Sequence, residues 1–177
     1  MSTPNRQIAI NYGVMYGIVS VVLVLVQYAM GDFTVNTQDQ SWAMTGLSIA
    51  LGILFPVLAM VKIKKSQGGY ISFGEGFKSG FTVYIISAIF VAAWMLIYTL
   101  VLEPGYQEAL LDQTYSQMIE SNPNMTDDQI EMGIGWTEKF TSPWILALWT
   151  IVGTALMGAI VSLILAAIVQ KKQPESI

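Results

Sequence analysis

Four stretches of this chain contain no Asp, Glu, Lys or Arg, and their lengths leave few folds open. Residues 7–31, 40–61, 79–102 and 140–170 run uncharged for 25, 22, 24 and 31 positions. A hydrocarbon layer about 30 Å thick is crossed by about 20 helical residues at about 1.5 Å each. Every gap exceeds that length, and each is filled mainly with Ile, Leu, Val, Met and aromatic side chains. In hydrocarbon each backbone N–H and C=O must be satisfied within the protein, which selects helix. The chain therefore reads as all-α: an integral membrane four-helix bundle with spans at about 8–30, 42–61, 79–102 and 143–169. The apolar run from Ile8 to Met30 is much longer than the roughly 7–15-residue core of a signal peptide, so the first span reads as a retained helix.

The distribution of charge gives an orientation. Lys and Arg near span ends favour the cytoplasmic side. With four spans, Arg6, Lys62, Lys64, Lys65, Lys78, Lys171 and Lys172 share one side, and Lys139 alone lies on the other. Ten of the twelve acidic residues join Lys139 there. The expectation is that both termini and a loop at 62–78 face the cytoplasm, while an outer cap at 103–142 faces away.

Local signals divide the chain further. Pro56 lacks a backbone donor and predicts a kink in the second helix. Ser72-Phe73-Gly74-Glu75 fits a capping box and starts the third helix before it enters the hydrocarbon. Glu103-Pro104 ends that helix, because the residue before a proline disfavours the helical region. Residues 104–121 resume a helical pattern, and Thr126-Asp127-Asp128-Gln129 caps a second short helix toward Phe140. The cap is thus a pair of amphipathic helices, expected to lie near the membrane surface.

Small residues at helical spacing mark where helices approach closely. Gly13 and Gly17 form one such pair, Gly76 and Gly80 another, and Thr154, Gly158, Ser162 and Ala166 form a ridge along the fourth span. The bundle interior is the first expectation for these surfaces; a homo-oligomer or another membrane protein would use the same chemistry.

The function classes the residues exclude are broad. Without Cys or His there is no thiol catalysis, no disulfide, no Cys/His zinc site and no imidazole base. A net charge of −4 argues against nucleic-acid binding. No span carries a charge near its centre, as ion-coupled transporters usually do. No catalytic, cofactor or metal residues are assigned, and the acidic cap lacks the spacing of a calcium loop. Candidate contacts to lipid or a partner are Glu75 and Lys78, which are placed to pair, and Lys62, Lys64 and Lys65, which suit anionic headgroups. Asn11, Gln27 and Pro56 suggest a polar crevice or interhelical hydrogen bonds.

Asn11-Tyr12-Gly13 at the start of the first span, and Gly69-Tyr70-Ile71-Ser72-Phe73-Gly74-Glu75-Gly76-Phe77-Lys78-Ser79-Gly80 after the second, resemble the DUF4199 family of small four-helix membrane proteins, found mainly in Bacteroidota. That resemblance implies a bacterial inner membrane and no established activity, with a glycosyltransferase as an implied partner. The first functional expectation is a non-enzymatic accessory subunit of a membrane complex. The second is a lipid-binding or small-solute transport protein with a crevice near Pro56, Asn11 and Glu75.

Overall fold

The computed structural model describes residues 3–30 and 42–171. The expected outer loop Gly31–Ser41 and the tail residue Lys172 lie outside them. Among the described residues there are six α-helices: α1 (Thr3–Met30), α2 (Trp42–Ser66), α3 (Phe73–Ile97), α4 (Tyr106–Ser121), α5 (Asp127–Phe140) and α6 (Pro143–Val169). α1, α2, α3 and α6 are long and apolar enough to span a bilayer. Their outer surfaces expose Ile, Leu and Val around the bundle, as hydrocarbon permits and water does not. The protein is an all-α, multi-pass membrane bundle with a helical cap.

The helices reach past the uncharged stretches. α2 continues to Ser66, so Lys62, Lys64 and Lys65 occupy its last turns and not a loop. Basic side chains there complement the negative end of the helix dipole, and their stems can run along apolar surface. Gly68 and Gly69, at φ +72° and +93°, then turn the chain, a backbone conformation that glycine adopts without steric cost. The Gly69 N–H donates to the Lys64 carbonyl at 2.9 Å and closes the turn.

Ser72 caps α3, its hydroxyl accepting from the Glu75 N–H at 3.3 Å. α3 does not stop at Ile97: a wide π-helical turn over Tyr98–Leu102 extends it, and Glu103 N–H donates back to the Tyr98 carbonyl at 2.8 Å. In α5 the Gln129 side chain accepts from the Thr126 N–H at 3.1 Å.

α3 is the central element, packed on α1, α2 and α6, and small residues set its spacing. A methyl group at Gly13 would stand 2.7 Å from Ile86 Cβ, and one at Gly17 2.7 Å from the Phe90 ring. Between α3 and α6, Gly76 faces Ala166, Gly80 faces Ser162, and Gly158 lies under Tyr84, where a methyl would be 2.5 Å from the Tyr84 Cβ. Thr154, the outermost member of the ridge, is only half-buried. Within this frame Met60, Ile63, Ile71 and Leu165 form one core cluster, and Phe55, Ala59 and Val83 another.

Candidate functional site

The predicted kink residue leads to the most distinctive site. In an unbroken helix the N–H of residue 56 would bond the carbonyl of residue 52, but Pro56 has no N–H. The Gly52 carbonyl is satisfied instead from another helix: the Tyr84 hydroxyl donates to it at 2.7 Å. Tyr16 of α1 completes the group. Its ring packs edge-on to Tyr84 at 5.9 Å and stacks on Phe55 at 5.4 Å. Gly52 allows this convergence, since a methyl there would stand 3.2 Å from the Tyr16 hydroxyl and 3.5 Å from that of Tyr84.

This polar cluster forms the floor of a crevice between α2 and α6. The cavity has a volume of about 390 Å³ and is bounded by Ser48, Ile49, Ile53, Met157, Val161, Ile164 and Leu165 as well as the three floor residues. That volume lies within the roughly 300–1,000 Å³ typical of small-molecule sites. Ile49, Ile53, Met157 and Ile164 are exposed on the outside of the bundle. The crevice therefore opens sideways, toward the region that lipid fills. Its walls are hydrocarbon, and hydroxyls and a carbonyl lie at its depth. Ser48 donates its own hydroxyl to the Met44 carbonyl at 2.9 Å.

Neither Asn11 nor Glu75 lines this cavity, so the expected grouping of Pro56, Asn11 and Glu75 does not occur. Asn11 is exposed and accepts from Gln7 Nε2, one turn earlier on its own helix, at 3.0 Å. A nearby partner on the same helix is an inexpensive way to satisfy a polar side chain in a span. Gln27 is buried near the opposite end of α1.

Glu75 and Lys78 do not pair in the way their spacing suggests. The Glu75 carboxylate accepts from Gln67 Nε2 at 3.0 Å and from the Ser72 hydroxyl at 3.3 Å. It thereby ties the end of α2 to the start of α3. Lys78 is exposed.

The three lysines at the end of α2 separate in role. Lys64 donates to the Val169 carbonyl at 2.7 Å and caps α6, while Lys62 and Lys65 are exposed. Two backbone hydrogen bonds between Ile71 and Lys171, 3.1 and 2.9 Å, bind the chain leaving α6 to the α2–α3 turn. Lys171 Nζ lies 5.5 Å above the Tyr70 ring, a cation–π contact.

At the cap end, Tyr28 donates to the Glu103 carboxylate at 3.2 Å. Tyr98 packs edge-on to both Tyr28 and Tyr106, at 5.7 and 5.4 Å. These rings touch one another and leave no cage between them; they fasten the cap to α1 and α3. Burial pushes the Tyr106 phenol above its ordinary pKa. Among the described residues no three acidic side chains converge where they could hold a metal ion.

A family model described as "Protein of unknown function (DUF4199)" matches residues 11–171. The chain belongs to the DUF4199 family. The match covers α1 from Asn11 onward, the other three spans and the cap, and every residue that lines the crevice lies inside it. No curated protein and no solved structure matches the chain.

Proposed function

We propose that this DUF4199 protein is a non-enzymatic lipid-binding membrane protein that takes a single lipid hydrocarbon chain sideways into the α2–α6 crevice. One observation carries the reading: a cavity of about 390 Å³, apolar-walled and open to the lipid side, ends on the Tyr16, Tyr84 and Gly52 cluster inside the bundle. Burying apolar surface from lipid gains little, because the surrounding tails are as apolar as the walls. Selectivity must then come from shape and from the buried hydroxyls, which favour a chain with a polar group or unsaturation near its inserted end.

The accessory-subunit reading has less support. The small-residue surfaces that would serve a partner helix are occupied inside the bundle, Gly13 and Gly17 by α3, and Gly76, Gly80, Gly158, Ser162 and Ala166 between α3 and α6. The charge distribution supports an orientation with both termini in the cytoplasm; a bacterial inner membrane is what the family resemblance implies, and no glycosyltransferase contact is needed for lipid binding.

The test is lipid retention. Wild type and Ile53→Trp, which fills the crevice from an exposed wall position, are purified in mild detergent and their co-purified lipids quantified by mass spectrometry. Wild type should retain a stoichiometric lipid species that the variant loses while staying folded. Equal lipid content in the two would overturn the proposal.

A further inference from the structure

α5 is a three-sided helix. Ile130, Gly133, Ile134 and Thr137 are half-buried, and Gly133 meets Met118 of α4. At about 100° per residue, Asp127, Glu131 and Glu138 gather on a second side. Met132, Trp136 and Phe140, four residues apart, make a third side roughly opposite the acids. Among the described residues nothing covers that third side: Met132 is 66%, Trp136 58% and Phe140 47% exposed. Trp136 and Phe140 stack at 5.8 Å, and Lys139 Nζ lies 5.7 Å from the Trp136 ring.

The stripe does not end with the helix. After an extended residue at Ser142, ψ 144°, α6 begins at Pro143. Trp144 (69% exposed) and then Leu148 and Trp149 carry the apolar surface onto the flank of a spanning helix. Along the chain, the uncovered side of α5 is thus followed within a few residues by side chains on the outer flank of a spanning helix.

We propose that α5 is an interfacial anchor, its Met132–Trp136–Phe140 stripe embedded in the headgroup and acyl boundary of the leaflet on the cap side. Three features fit that occupant. Tryptophan is enriched at this depth. An amphipathic helix lying in the interface carries its charged side toward water, which is where Asp127, Glu131 and Glu138 then point. Lys139, the one basic residue between Lys78 and Lys171, borders the stripe beside Trp136, as a partner for lipid phosphates would. The α4–α5 hairpin, joined by Gln107 Nε2 donating to the Glu138 carbonyl at 2.9 Å, is held down on the membrane and does not project from it.

Because the chain has no cysteine, single nitroxide labels can be placed directly on the full-length protein in phosphatidylethanolamine–phosphatidylglycerol vesicles. Labels at Met132→Cys and, one residue away on the acidic side, Glu131→Cys are compared for collision with oxygen and with a water-soluble nickel chelate. Trp136→Cys repeats the first measurement at an independent exposed position. The expected result is an oxygen-to-nickel accessibility ratio several-fold higher at 132 and 136 than at 131. Equal, nickel-dominated accessibility at all three sites would place the stripe in water and overturn the proposal. Labels at 132 and 136 shielded from both reagents would place a protein there, a second copy or another chain, and would overturn it too.

Discussion

Replacing Tyr84 by phenylalanine removes one hydroxyl and nothing else, so its cost isolates the 2.7 Å hydrogen bond to Gly52. Interhelical hydrogen bonds in membrane proteins are worth about 0.6 kcal/mol on average and about 1.7 at most. This one should lie near the upper limit, about 1.5 kcal/mol, because leaving a buried acceptor unmet costs roughly 1–3 kcal/mol. The Gly52 carbonyl lacks its usual helical donor, since Pro56 supplies no N–H. Pro56→Ala restores that donor. In the Pro56→Ala background, Tyr84→Phe should therefore cost no more than about 0.6 kcal/mol, giving a coupling energy of about 1 kcal/mol. Reversible unfolding in mixed micelles, followed by helical circular dichroism for the wild type, the two single variants and the double variant, supplies all four corners. A coupling below about 0.3 kcal/mol, the usual scatter for independent sites, would refute the link between the proline and the tyrosine.

Two glycine substitutions should differ sharply. Gly158→Ala drives a methyl to 2.5 Å from the Tyr84 Cβ, on a packed helix, and should destabilise by about 1–3 kcal/mol. Gly133→Ala meets only the end of the flexible Met118 side chain, its terminal methyl and sulfur, which can swing aside, so unfolding midpoints should stay unchanged or rise. Lys64→Met removes the cap on Val169 and should cost about 0.5–1 kcal/mol, with amide exchange accelerating at the end of α6 before it does elsewhere. The raised pKa of Tyr106 gives a sign in alkali. Below pH 10.0, the ordinary tyrosine value, both folded and unfolded chains keep the proton; above it the unfolded chain ionises first, and stability falls as pH rises. Tyr106→Phe should lose part of that alkaline decline, measured as the unfolding midpoint across pH 9–12.

Much of the architecture is legible because the bilayer imposes local requirements. Uncharged length locates the spans, and Ser72 and Glu103-Pro104 bracket α3. Thr126 opens α5, since capping involves residues only three apart. The links that build the site are long-range and leave no such trace. Nothing near Gly52 names Tyr84, 32 residues away, nor does Lys64 indicate Val169, 105 residues away. Asn11 shows the reverse error: a polar residue in a span looks like a cavity lining until its partner one turn back is seen. A usable signal was present, however. A residue four before an intramembrane proline loses the usual helical donor to its carbonyl, and glycine at that position leaves room for a donor from another helix. The lysines at 62–65 read as a loop because charge marks where hydrocarbon ends, whereas the helix itself ends only at Ser66.

The central claim, that a lipid chain enters between α2 and α6, is tested most directly by photo-crosslinking. A phospholipid carrying a diazirine near the end of one acyl chain is incorporated into vesicles with the full-length protein, irradiated, and its adducts mapped by mass spectrometry. Ile89 and Leu148 are as exposed on the bundle surface as Ile49 and Ile164 but lie outside the crevice, so they report ordinary lipid contact. The account predicts adducts concentrated on Ile49, Ile53, Met157 and Ile164. Adducts spread evenly across these residues, Ile89 and Leu148 would contradict it.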